Sequence, residues 1–119
     1  MMPGIAAVNE AQTARFAAMI RAALAALDEE DTLGREGQAT VELDQQSVGR
    51  LSRMDALQSQ AMARAGQARR DARRRALLAA LARIESGDFG YCEDCGESIA
   101  PARLALDPAA PRCISCASG

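Results

Sequence analysis

The chain has 119 residues, of which 3% are aromatic, so it is long enough for one small domain but too poor in aromatic residues for a large core. Its formal net charge is −2 and all 14 of its cationic residues are arginines, a balance that argues against a strongly basic DNA-binding protein. No run of about 18 apolar residues indicates a membrane span, and no apolar leader opens the sequence. We therefore expect a cytoplasmic chain with reduced thiols and no membrane partner.

The first predicted element is a helix over residues 8–30. Its apolar residues repeat at intervals of four, three and four as one seam of period 3.5, formed by Phe16, Ile20, Ala23 and Leu27. Residues 31–46 break this pattern, because Gly34 and Gly37 stand between charged and polar residues there. This segment predicts a loop.

A second, longer helix is predicted over residues 47–86, with Ser47 as its N-terminal cap and Gly87 just past its end. Its apolar stripe is formed by Met54, Leu57, Ala61, Ala65, Ala68 and Ala72. We expect the two helices to pair antiparallel, with the small residues of the stripe allowing a close approach. The predicted hairpin therefore covers residues 1–86, with its tip region at about residues 31–55.

The chain has four cysteines, and they form two C-x-x-C pairs, Cys92 with Cys95 and Cys113 with Cys116. Two such knuckles can wrap a single tetrahedral ion with four thiolates, and Zn(II) suits that donor set. Because four thiolates close the coordination shell, we expect one structural zinc ion and no enzymatic activity. Two disulfides, a redox C-x-x-C pair and an iron–sulfur centre remain as alternatives.

Charged residues are segregated along the chain. The stretch from residue 28 to 44 is acidic, through Asp28, Glu29, Glu30, Asp31, Glu36, Glu42 and Asp44. The stretch from residue 64 to 83 is basic, through Arg64, Arg69, Arg70, Arg73, Arg74, Arg75 and Arg83. These stretches are either two solvated helix faces or an acidic end and a basic flank that orient the molecule on a charged partner.

The run Gly-Asp-Phe-Gly-Tyr-Cys occupies residues 87–92, and Arg103-Leu104 and the second cysteine pair follow downstream. Together these residues resemble the DksA/TraR family. The resemblance covers about residues 40–119 and is strongest from residue 78 onward. The family implies a mainly α fold, in which an antiparallel two-helix coiled-coil hairpin is followed by a small four-cysteine zinc-finger module, here at residues 87–119.

The resemblance also implies a function. Members of the family bind RNA polymerase at its secondary channel and modulate transcription initiation without binding DNA, often together with the nucleotide ppGpp. We therefore expect RNA polymerase as the partner, ppGpp as a candidate ligand, no direct DNA binding and a monomeric chain.

The acidic tip of the family's hairpin is missing or displaced in this chain. Well-studied members carry Asp-x-x-Asp-x-Ala at the tip, and counting back from Cys92 places Gly49 and Ser52 at the two acidic positions. An arginine beside the family's finger is matched as well. The candidate partner-binding residues are Ser52, Arg53 and Asp55 at the tip and Arg103 beside the finger.

Two other functions remain open from the sequence. One is a zinc module that binds nucleic acid through the arginine cluster at residues 64–75, which a gel shift over a salt series would detect. The other is a structural coiled coil whose alanine seam meets a second copy, which light scattering over a range of concentrations would detect.

Overall fold

The computed structural model describes residues 8–48 and 53–118, and over residues 38–48 it describes the backbone only. These residues form four helices, which are α1 (Glu10–Val48), α2 (Arg53–Ser86), α3 (Pro101–Leu106) and α4 (Ile114–Ser118). An isolated antiparallel bridge joins Tyr91 and Ser98, and the described residues form no strand. The predicted mainly α fold class is confirmed. None of the described helices combines the length and the apolar character that crossing a membrane requires.

A reciprocal pair of hydrogen bonds begins α1. The backbone N–H of Gln12 donates to Oδ1 of Asn9 at 2.8 Å, and the backbone N–H of Asn9 donates to Oε1 of Gln12 at 3.0 Å. This is a capping box, which satisfies two backbone donors at the helix end. The start of the first helix therefore lies close to the predicted residue 8.

The predicted end of the first helix, near residue 30, is wrong, because α1 continues to Val48. Gly34 and Gly37 lie inside the helix, and residues 31–46, predicted as a loop, are helical. A helical glycine costs only about 1 kcal/mol relative to alanine, and tertiary contacts can offset that cost. At Gly34 a larger residue would also crowd α2, because a Cβ built there would lie 3.2 Å from Nη2 of Arg70.

The second helix begins later than predicted. Its first residue is Arg53 rather than residue 47, and Ser47 belongs to the last turn of α1 instead of capping α2. Its predicted end at Ser86 is confirmed. Gly87 follows with a φ of 82°, and its N–H donates to the carbonyl of Ile84 at 3.3 Å while that of Asp88 donates to Arg83 at 2.8 Å. This Schellman arrangement satisfies the last carbonyls of the helix.

The chain divides into two compact units, and the first combines Met1–Leu24, as far as that segment is described, with Arg75–Gly119. Its core brings the start of α1 and the end of α2 together with the residues after α2. The largest side chains that are at most 1% exposed are Ile20, Leu77, Ile99 and Leu104. The rings of Phe16 and Phe89 lie 5.8 Å apart between centroids at 47°. Burying each large apolar side chain contributes roughly 1.5–3 kcal/mol.

The second unit, Ala25–Arg74, is a pair of helical segments with opposite directions. Asp28 of α1 contacts Arg74 of α2, whereas Asp31, three residues later in α1, contacts the earlier Arg70 as well as Arg74. Contacts that move forward along α1 and backward along α2 define an antiparallel pair. Leu27 is buried in this unit, as the predicted α1 seam requires. The next buried residue along the same face of α1 is the charged Asp31.

The alanine-rich stripe predicted for α2 does not face α1. Met54 and Leu57 are 79% and 58% exposed, and the four alanines of the stripe are exposed as well. Gln67, Arg70 and Arg74 face α1 instead, because the carboxylate of Asp31 requires donors there. Alanine favours a helix whether it is exposed or buried, so its abundance did not indicate the buried face.

Candidate metal centre

The structure brings the four predicted cysteines together. Their Sγ atoms all lie within 4.8 Å of one another, and those of Cys95 and Cys113 are 3.8 Å apart. Four sulfurs bound at about 2.3 Å to one tetrahedral ion would lie about 3.8 Å from one another. None of the four is in a disulfide, which contradicts the two-disulfide alternative. The donor set and its spacing therefore fit one ion held by four thiolates.

The first knuckle is shaped by a tight backbone turn. The carbonyl of Cys92 accepts from the N–H of Gly96 at 2.9 Å, and the N–H of Cys92 donates to the carbonyl of Glu97 at 2.8 Å. The φ of Gly96 is 77°, a left-handed conformation that L side chains rarely adopt. The glycine after Cys95 therefore lets the chain reverse immediately after the second sulfur ligand.

The second knuckle lies at the start of α4. The carbonyl of Cys113 accepts from the N–H of Ala117 at 2.9 Å, so Cys116 is carried by the first turn of the helix. The helical turn that separates Cys113 from Cys116 places their two sulfurs close together. The C-x-x-C spacing therefore has a different backbone in each of the two knuckles.

An arginine that sequence reasoning missed joins the two knuckles. Arg112, next to Cys113, pairs with Glu93 at 3.1 Å and with Asp94 at 2.9 Å, both of which lie inside the first knuckle. The N–H of Glu93 also donates to the carbonyl of Pro111 at 2.9 Å. A sequence signal was available, because two acidic residues between one cysteine pair face an arginine next to the other pair.

The pKa values of the Cys92 and Cys116 thiols are shifted in opposite directions. Burial of Cys92 opposes its ionisation, but backbone N–H groups of Cys113, Cys95 and Asp94 donate to its sulfur and lower its pKa to about 6. The pKa of Cys116 is raised to about 12, first because its thiol hydrogen-bonds to Cys113 and then to the other two sulfurs. Four neighbouring sulfurs cannot all carry negative charge without a cation among them, which again fits a metal centre.

Arg103 is placed differently from the remaining predicted site residues. It lies on α3, and its Nε donates to the carbonyl of Arg112 at 2.9 Å. This bond holds the backbone that leads into Cys113. Arg103 therefore supports the second knuckle, and its predicted contact with a partner is left as a proposal.

The predicted tip residues lie away from the cysteines along the chain. Ser52 lies outside the described residues. Arg53 and Asp55 occupy the first turn of α2, and both are exposed. An acidic residue in the first turn is favoured by the helix dipole, which accounts for Asp55 without a partner protein.

The sequence of the finger matches a known family. Residues 87–119 match the family described as prokaryotic dksA/traR C4-type zinc finger. A curated relative, RNA polymerase-binding transcription factor DksA from Haemophilus influenzae, is 47% identical over 38 residues, which are 32% of this chain and 26% of that protein. The protein of the same name from Escherichia coli strain K12 is 50% identical over 36 residues, or 30% of this chain and 24% of that protein.

A solved structure matches most of the chain. Transcription factor DksA2 from Pseudomonas aeruginosa superposes with a TM-score of 0.83 at 22% sequence identity, covering 93% of this chain and 84% of the other. The sequence matches span only about a quarter of the curated relatives, whereas the shared fold extends over both helices and the finger. The resemblance to the DksA/TraR family is thereby confirmed: residues 87–119 match the family's C4-type zinc finger in sequence, and most of the chain shares its fold with DksA2.

Proposed function

We propose that the chain is a DksA-like transcription regulator that binds RNA polymerase at its secondary channel and modulates transcription initiation without binding DNA. The observation that carries this proposal is a fold shared with a transcription factor over 93% of the chain, together with a finger similar to that of RNA polymerase-binding proteins. The helical hairpin, residues 1–86, would enter the channel, and the finger, residues 87–119, would stay at its base.

The four cysteines take a structural part in this proposal. Cys92, Cys95, Cys113 and Cys116 would hold one Zn(II), which neutralises their negative charge and fixes the fold of the finger. Since four thiolates leave no open position for a substrate, we propose no enzymatic role. The protein would act in the cytoplasm as a monomer.

The hairpin tip is the proposed regulatory element. Arg53 and Asp55 are exposed at the start of α2, where a partner could reach them. Ser52 precedes them in the chain. Arg103 and the nucleotide ppGpp complete the proposed set of contacts, with Arg103 reaching a partner through the guanidinium nitrogens that do not donate to Arg112.

A pull-down and a transcription assay test this function. The zinc-loaded chain is mixed with core RNA polymerase from the source organism at micromolar concentration, and transcription from a ribosomal promoter is measured with and without ppGpp. We expect binding, and a change in transcript yield that Arg53→Ala with Asp55→Ala abolishes while binding persists. Arg15→Ala, which alters an exposed residue near the other end of α1, is the matched control.

Three results would count against parts of the proposal. Failure to bind polymerase removes the function, and an unchanged effect of the tip variant removes the tip assignment. A gel shift with promoter DNA that weakens steeply with salt would favour a nucleic-acid-binding module instead.

A further inference from the structure

An open cleft lined by arginines lies in the second unit, between α1 and α2. Its volume is about 670 Å³, within the range of small-molecule sites. Arg35 contributes from α1, and Arg64, Arg69 and Arg70 contribute from α2. The described residues that line the cleft include no carboxylate. Arg70 is paired with Asp31, and the guanidinium groups of Arg35, Arg64 and Arg69 add positive charge around the same concave space, so the cleft favours an anion.

Two glycines keep the cleft open beside the guanidinium groups. A Cβ at Gly34 would lie 3.2 Å from Nη2 of Arg70, and a Cβ at Gly66 would lie 3.4 Å from Nη1 of the same residue and 3.7 Å from Nη2 of Arg69. Any longer side chain at Gly66 would therefore extend toward both guanidinium groups. Glycine inside a helix costs about 1 kcal/mol relative to alanine, so both helices accept a local cost where the cleft is formed.

Arg70 is held in place by hydrogen bonds to Asp31 and Gln67. Its Nε donates to Oδ1 of the buried Asp31 at 2.6 Å, and its Nη2 donates to Oε1 of Gln67 at 3.1 Å. The side chain is 21% exposed, so most of it is fixed between the helices. A guanidinium that is already oriented loses less conformational entropy when it binds an anion.

We propose that this cleft binds a small anion that carries several phosphate groups in a row, a site that lies outside the finger and the hairpin tip. Arginine presents planar pairs of donors that match phosphate oxygens, and each such charge-assisted bond is stronger than a neutral one. A polyphosphate places its charges close together, which suits a cleft lined by four arginines. An acidic peptide is the competing ligand, but its carboxylate groups lie farther apart than the phosphate groups of a polyphosphate.

The probe is inorganic tripolyphosphate, titrated into the full zinc-loaded chain by isothermal titration calorimetry without polymerase. We expect one site per chain, with an affinity at least tenfold weaker in the double variant Arg64→Ala with Arg69→Ala. Both arginines are exposed, so their removal should leave the fold intact. The matched control, Arg21→Ala with Arg75→Ala, removes the same charge from exposed positions outside the cleft and should change the affinity less than twofold.

A second variant separates the shape of the cleft from its charge. Gly66→Leu retains every arginine but fills the space next to Arg69 and Arg70, and we expect it to weaken tripolyphosphate binding at least tenfold. Circular dichroism confirms that this variant folds, and Gly66→Ala replaces it if it does not. Each chain is titrated over a salt series to compare the electrostatic contributions.

Several outcomes would overturn the proposal. Equal losses in the cleft pair and the control pair would show attraction to net charge alone, and no binding at millimolar tripolyphosphate would exclude the site. Tighter binding of an oligoglutamate peptide than of tripolyphosphate would assign the cleft to an acidic protein segment. Since polymerase is absent from the experiment, its outcome is independent of the proposed transcriptional function.

Discussion

At the scale of single residues, glycines in this chain do two different jobs. Gly87, Gly90 and Gly96 have φ values of 82°, 93° and 77°, and all three lie between the end of α2 and the start of α3. Gly34 and Gly37 lie inside α1. In the finger the positive φ favours glycine. Inside α1 the helix tolerates Gly37, whereas the side chain of Arg70 leaves little room for a larger residue at Gly34.

Gly96→Ala and Gly37→Ala should change stability in opposite directions. A Cβ at either position meets no atom within 4 Å, so packing does not decide the outcome. Alanine at Gly96 is forced into a left-handed conformation and should destabilise the protein by about 1–2 kcal/mol. Alanine at Gly37 improves helix propensity and should stabilise it by up to about 1 kcal/mol. Thermal unfolding of the zinc-loaded protein measures both, and a shift of the same sign in the two variants would contradict the assigned backbone conformations.

At the scale of helices, the pairing of α1 with α2 changes character along its length. In the first unit the seam is apolar, with Phe16, Ile20 and Leu77 buried. In the second unit the seam is ionic, because Asp31 accepts from Gln67, Arg70 and Arg74. A buried polar cluster of this kind can fix the register of two helices, since a shift by one turn would separate the carboxylate from its donors.

Asp31→Asn should lower the melting temperature at neutral pH and reduce its dependence on acid. The pKa of the Asp31 carboxyl is lowered, first by the hydrogen bond from Arg70 and then by those from Arg74 and Gln67, against the opposing effect of burial. A folded-state pKa below the unfolded value of 3.8 means that the stabilisation is complete above pH 3.8 and is lost as the pH falls below it. The asparagine cannot titrate, so this part of the loss should disappear.

Melting curves of wild type and Asp31→Asn between pH 7 and pH 2.5 measure the effect. Asp55→Asn, at an exposed carboxylate in the first turn of α2, is the matched control. If Asp31→Asn melts at the same temperature as wild type at pH 7, the cluster contributes nothing to stability. Equal acid dependence in the two proteins would show that Asp31 is not the group that titrates.

The sequence was sufficient to predict that the four cysteines come together, but only partly sufficient for the hairpin. The spacing of the cysteines is specific, because only certain backbones bring four sulfurs together. The α1 seam followed from large apolar side chains such as Phe16 and Leu27. The face of α2 that packs on α1 could not be predicted from the sequence. Its contacts are made by Arg70 and Arg74, and arginines usually face solvent. The ion pairs to α1 become visible only once both helices are placed.

At the scale of the whole molecule, the finger and the hairpin share a core. Phe89, between α2 and the first knuckle, contacts Phe16 of α1. Ile99 and Leu104, which lie between the two cysteine pairs, are buried to 1% exposure or less. The finger therefore contributes apolar surface to the same unit in which α1 begins and α2 ends. Unfolding of the finger should therefore destabilise both long helices.

Removal of the metal should destabilise the helices as well as the finger. Without a cation the four sulfurs cannot all ionise and remain together, so residues 92–116 should lose their fold and expose Ile99 and Leu104, which are buried in the same unit as the start of α1 and the end of α2. We expect chelation with EDTA to lower the melting temperature of the helical signal by at least 10 °C, because a ligand present at 1,000 times its dissociation constant contributes about 4 kcal/mol. Readdition of Zn(II) should restore it, and Mg(II), which prefers oxygen ligands, should not. Unchanged melting of the helices after verified loss of the metal would mean that the shared core forms without the finger.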